Sequence, residues 1–92
     1  MADKPYAIDF SEHFADYLAD VPLEIRRIFE KRLKGKYKNY PSFEHKKRGV
    51  PFYSDRISGK YRVCFMQIEQ RRLMVFIGDH KAYDKFLAEW EK

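Results

Sequence analysis

Arg56, Arg62, His80 and Tyr83 are the residues of this sequence whose types and spacing suit chemistry on an anion. Arg56 and Arg62 flank the turn in "DRISGKYRVCF". A three-residue loop, Ser58 to Lys60, pairs Ile57 with Tyr61 and sets Arg56 across from Arg62. Two guanidiniums held opposite each other repel, so the arrangement makes sense where an anion lies between them. A two-residue loop, Ser58-Gly59, would instead set Asp55 opposite Arg62 as an ordinary cross-strand ion pair. The longer loop is the expected one, because it keeps Tyr53 and Ile57 on the same face as Tyr61, Val63 and Phe65. His80 and Tyr83 follow in "FIGDHKAYDKF". His80 either does acid–base work, for which imidazole titrates in the right range, or is a first-turn helix residue. A cationic His80 there, like Lys81, would oppose the helix macrodipole by about 0.3–1 kcal/mol. Tyr83 opens an apolar series completed by Phe86, Leu87 and Trp90, so a core role competes with a chemical one.

The charge distribution points to a polyanionic partner. The chain carries a net +5 over 92 residues, but the excess sits in the middle. Residues 31–62 hold eleven Lys and Arg against only Glu44 and Asp55. A segment so basic repels itself unless nucleic acid or an acidic protein relieves it. A lone Cys64 allows no internal disulfide and, like three scattered His, has no zinc-ligand spacing; no cofactor is expected. Beside Arg62 its thiol reads as a half-buried strand residue. No apolar run reaches the ~20 residues that cross a bilayer, and the first residues lack a signal-peptide core. A cytoplasmic protein without a membrane role is expected, folded as one domain over 1–92.

The positioning elements follow from hydrophobic period. "YAIDF" alternates as a short strand. Ser11 is a candidate N-cap for a helix carrying Phe14, Tyr17, Leu18 and Val21, whereas His13 reads as a solvated residue. Pro22 suits the first turn of a second helix carrying Leu23, Ile25, Ile28, Phe29 and Leu33, stopped at Gly35. "YKNYPSFEHKKRGVP" reads as a basic loop with room for a short strand. The period then falls to two in "PFYSDRI", "KYRVCFMQIE" and "RRLMVFIGD", an antiparallel meander. Asp79 can cap a final helix. The sum is an α+β chain, β-α-α-β-β-β-α, with a helical hairpin and a short C-terminal helix packed on one face of an antiparallel sheet.

This order resembles the RelE/ParE superfamily of type II toxins. "DRISGKYRVCF" is similar to the strand–turn–strand of RelE- and YoeB-like members, in which an arginine and a branched residue precede an aromatic–arginine–aliphatic strand. "IGDHKAY" is similar to the tail of YafQ-like members, Gly-x-His-x-x followed by an aromatic residue or Leu. The resemblance implies a ribosome-dependent mRNA interferase, in which the 2′-hydroxyl of one nucleotide attacks the adjacent phosphate without a metal. It also implies roles. Arg62 would bridge phosphate oxygens, assisted by Arg56, and His80 would move a proton. Tyr83 would stack on a base or donate to the phosphate. Lys46, Lys47 and Arg48, with Lys60 and Lys81, would hold RNA backbone. The sequence departs from RelE where "YSD" replaces a Lys-x-Lys pair, and from YoeB, whose final His and Tyr are adjacent. Glu44 and His45 are therefore additional acid–base candidates. The implied partners are the ribosome, mRNA and a cognate antitoxin, the last an acidic or amphipathic segment that folds on binding. The competing functions are a ParE-like inhibitor of DNA gyrase and a non-catalytic basic RNA-binding module.

Overall fold

The computed structural model describes residues 5–41, 43–45 and 49–90. The elements run β1 (Ala7–Phe10), α1 (Phe14–Ala19), α2 (Leu23–Lys34), α3 (Lys36–Asn39), β2 (Glu44–His45), β3 (Phe52–Ile57), β4 (Tyr61–Ile68), β5 (Arg71–Asp79) and α4 (His80–Trp90). The expected meander is present as β3–β4–β5, antiparallel throughout. The sheet is nonetheless mixed, in the order β1-β5-β4-β3-β2, because β1 lies parallel to β5. Helix ends differ from expectation in detail. Ser11 accepts from the Phe14 N–H through its main-chain carbonyl rather than its side chain, and His13 occupies the N-cap of α1. Pro22 sits at the N-cap of α2, one place before the first turn. The basic loop contains the single turn α3 as well as β2.

The helices cover both faces of the sheet, not one. The hairpin α1–α2 packs on the face that carries Ile57, Val63, Phe65, Met74 and Ile77, and Tyr37 of α3 joins it there. On the opposite face α4 brings Tyr83, Ala82, Phe86 and Leu87 against Phe52, Cys64, Val75 and Phe76. β4 and β5 are apolar on both faces for this reason, as strands buried between two layers must be. One irregularity adjusts the second layer. The register steps from Cys64↔Phe76 to Phe65↔Met74, leaving Val75 as the extra residue of a bulge. Val75 and Phe76 consequently both face α4, which gives that layer an additional large side chain.

Two polar devices tie the layers together. Asp55 lies between Tyr53 and Ile57 on β3 and therefore faces the hairpin. It accepts from Arg32 Nη1 and Lys36 Nζ at 2.8 Å each and from the Tyr37 hydroxyl at 2.9 Å. Burial, with the Asp55 carboxylate next, pushes the Tyr37 hydroxyl far above its ordinary range, so it stays a donor. Arg72 of β5 is completely buried. It donates to Gln67 Oε1 (2.9 Å), the Tyr37 carbonyl (2.8 Å) and the Tyr40 carbonyl (2.6 Å), with its guanidinium 3.7 Å from the Tyr6 ring centroid.

Candidate active site

The β3–β4 hairpin turns through Ser58 and Gly59, whose φ angles are +54° and +74°. The left-handed backbone favours Gly at the second position. The turn delivers the expected register, Ile57↔Tyr61 and Arg56↔Arg62. Asp55 faces the helical hairpin and is spent on Arg32, Lys36 and Tyr37, so the alternative in which it pairs with Arg62 does not occur. Arg32 Nη1 also donates to the Arg56 carbonyl at 2.8 Å. The backbone on which Arg56 stands is thereby anchored to α2, while its side chain remains exposed.

The row continues into β5, where Arg62 stands opposite Gly78 and Tyr61 opposite Asp79. Adjacent strands lie about 4.8 Å apart, so Arg56, Arg62 and Gly78 form a line of roughly 10 Å. The strand then ends abruptly. Asp79 Oδ1 accepts from the Ala82 N–H at 2.9 Å, the expected N-cap, and α4 starts at His80. His80 therefore projects from the strand–helix junction two residues beyond the Arg62 row. It is exposed, with Nε2 3.6 Å from Asp84 Oδ2 one helical turn on. Lys60 in the turn and Lys81 on α4 are exposed at the same end of the sheet.

Gly78 is required by this junction. A Cβ on it would lie 2.7 Å from Phe76 Cζ and 3.1 Å from the Ala82 Cβ. Phe76 cannot retreat, since its ring is stacked on Phe86 at 4.8 Å and touches Tyr17 and Tyr83. We expect Gly78→Ala to cost about 1–3 kcal/mol, as overpacking does. A lower urea midpoint with unchanged slope would register it, and a wild-type midpoint would mean that the junction yields.

Of the two roles open to Tyr83, the structure gives it the core one. It is 2% exposed, on the inner side of α4, and its ring lies 5.5 Å from the Arg62 guanidinium carbon. Its hydroxyl is enclosed. Burial is the main reason its pKa is pushed up to about 12; Cys64 adds to the rise and Arg62 opposes it. Cys64 is fully rather than half buried, and burial raises its thiol to about 12 against the pull of Arg62. Both groups stay neutral beneath the arginine.

Other candidates lie elsewhere. The β2 backbone sets Glu44 opposite Ser54 and His45 opposite Tyr53, on the far side of β3 from Arg62. Lys46, Lys47 and Arg48 lie outside the described residues. His13 is largely exposed beside Asp16. Among the described residues no three His, Cys, Asp or Glu side chains gather where they could hold a metal ion, and no helix is long and apolar enough to cross a membrane.

Several solved structures share this fold. A free-state double arginine-to-alanine mutant of Escherichia coli toxin RelE superposes with a TM-score of 0.72 at 23% identity, covering 89% of this chain and 90% of that one. A chain of the RelBE2 toxin–antitoxin complex of Mycobacterium tuberculosis gives 0.69 at 16% identity, over 85% and 98%. One from the RelB–RelE antitoxin–toxin complex of Methanococcus jannaschii gives 0.65 at 19% identity, over 85% and 96%. This chain has the RelE fold. No family model and no curated protein sequence matches it.

Within this RelE fold, sequence reasoning missed the Asp55 and Arg72 clusters. Alternation carried a signal for both. A carboxylate between inward-facing Tyr53 and Ile57 needs cations beneath it, and Arg32 and Lys36 are four residues apart on the covering segment. Likewise Arg72 precedes the inward-facing Met74 by two, so it too must point into the core.

Proposed function

We propose that this chain is the toxin of a toxin–antitoxin pair and cleaves mRNA on the ribosome. The observation that carries the reading is the row Arg56–Arg62–Gly78, which runs into an exposed His80 at one end of a RelE fold. Several structural neighbours are themselves toxin–antitoxin complexes, which supports an antitoxin as partner.

The chemistry follows from the side chains. A 2′-oxygen attacks the adjacent phosphorus, the bond to the next nucleotide's 5′-oxygen breaks, and one proton moves from the first oxygen to the second. Charge accumulates on the non-bridging oxygens during the step. The planar fork of Arg62 can bridge two of them, and the Arg56 guanidinium across the hairpin supplies a second cation. Stabilisation of that kind acts only as the charge develops, so it raises the rate rather than merely the affinity. His80 is the proton carrier, taking the 2′-hydroxyl proton or supplying one to the leaving oxygen. Lys60 and Lys81, exposed at this end of the sheet, would take flanking phosphates, and Lys46, Lys47 and Arg48 carry the charge for a further backbone contact. These cations set affinity and salt dependence, not sequence preference. The setting is the cytoplasm, where ribosomes and messenger are.

His80→Gln tests the proton role. The expected loss in cleavage rate on programmed ribosomes is roughly 10²–10⁴-fold, the ordinary worth of a positioned acid or base. A loss of less than about tenfold would leave His80 as a structural first-turn residue of α4. Gyrase stalled on DNA by a protein that leaves messenger intact would support the ParE-like alternative instead.

A further inference from the structure

The Arg62 guanidinium rests on a buried aromatic platform, and this bears on how the site is held in shape. Arg62 and Cys64 are alternate residues of β4 and face α4. Tyr83, on the inner side of α4, fills the space over Cys64 and is itself packed against Phe76. The Arg62 guanidinium carbon lies 5.5 Å from the centroid of that ring, within the range in which a cation is attracted to an aromatic face. Among the described residues no hydrogen bond or ion pair of the Arg62 side chain accompanies this contact, and Arg56 stands opposite as a repelling neighbour. Repulsion alone would swing the Arg62 side chain outward. A fixed ring beneath it restrains that motion.

We propose that Tyr83 is a positioning residue that orients Arg62 through its ring, with the hydroxyl playing no part in the reaction. The proposal rests on the cleavage reading for its kinetic consequence but not for the contact itself. Tyr83 is almost wholly covered, and its hydroxyl is enclosed under α4. It cannot stack on a base or reach a phosphate without α4 lifting away. Its helix also begins at His80, so one short element fixes both the proton carrier and the seat of the arginine. The platform explains why an aromatic residue occupies the third place after the histidine even though it is hidden from substrate.

The test separates ring from hydroxyl, and contact from catalysis. In the wild-type protein the Arg62 side-chain protons should be shifted upfield by the Tyr83 ring current. That shift should persist in Tyr83→Phe and vanish in Tyr83→Leu; unshifted Arg62 protons in the wild type would overturn the proposal without any mutant being needed. Titration with inorganic phosphate should perturb the Arg62 Nε resonance in the wild type and in Tyr83→Phe, and more weakly in Tyr83→Leu. In ribosomal cleavage, Tyr83→Phe should retain wild-type kcat. Tyr83→Leu should lower kcat on the order of 10²-fold, the cost of a misplaced catalytic group, with KM unchanged. In an Arg62→Ala background it should do nothing further. Equal losses in Tyr83→Phe and Tyr83→Leu, or full additivity with Arg62→Ala, would overturn the proposal. If the wild type cleaves no messenger, the cleavage reading falls, while the ring-current and phosphate measurements still decide the platform.

Discussion

Arg62→Ala should remove messenger cleavage, with a fall in rate of at least 10²–10³-fold, and leave the fold intact. The magnitude is that of deleting one preorganised donor from a developing oxyanion. The larger end is expected, because Arg56 would remain as an exposed side chain without its partner. Stability should not fall appreciably. Arg62 is only half buried, and its removal relieves the cross-strand repulsion with Arg56, which offsets the lost contact with Tyr83. Binding of the antitoxin should survive as well, since the substitution removes no core side chain. Arg62→Lys keeps the charge but not the two-pronged geometry, and intermediate activity is expected of it. A variant that lost activity and urea midpoint together would point to an unfolding artefact rather than to a lost phosphate contact.

Arg72→Leu should produce the largest loss of stability of any single substitution in the sheet. Arg72 is a wholly buried cation with no carboxylate partner among the described residues. Burial disfavours its charge, and its pKa is lowered from the ordinary arginine value for that reason. Three charge-assisted hydrogen bonds and an aromatic enclosure offset the cost. The Tyr6 ring lies at 3.7 Å, and the Phe43 and Phe65 rings at 5.1 Å each. Leucine restores none of these bonds. It strands the buried Tyr37 carbonyl at about 1–3 kcal/mol, and the part-buried Tyr40 carbonyl and Gln67 Oε1 at less, since water can reach them. Against this, the cation no longer has to be desolvated. A net loss of about 2–5 kcal/mol follows, a large part of the 5–15 kcal/mol that holds a typical domain together. Lysine cannot substitute, because one ammonium cannot reach three separate acceptors while stacking on Tyr6. Urea unfolding of both variants measures this, and a leucine variant as stable as the wild type would mean that the cation is tolerated rather than used.

Much of the sheet is legible in the sequence. The switch to a period of two marked β3, β4 and β5, and counting faces across "SGK" selected the three-residue turn that sets Arg56 opposite Arg62. The parallel attachment of β1 was not readable, because a four-residue strand carries no information about which edge it joins. The position of α4 was half readable. Tyr83, Phe86, Leu87 and Trp90 announce a buried face, but not which side of the sheet receives it. The apolar character of Cys64 and Met66, on the face away from the hairpin, was the available clue. Of the site, Arg62 and His80 were legible as residue types at suggestive places. The ring beneath Arg62 was not, since only the packing of α4 brings Tyr83 under the guanidinium.

In the proposed reaction the arginine row and His80 cut messenger on the ribosome. Purified protein incubated with ribosomes programmed by a defined messenger, with the 5′ ends of the fragments mapped, tests it most directly. The predicted result is a cut within the decoding site that persists in EDTA, is lost in Arg62→Ala and is suppressed by the antitoxin. Intact messenger with the wild-type protein, or undiminished cleavage by Arg62→Ala, would contradict it.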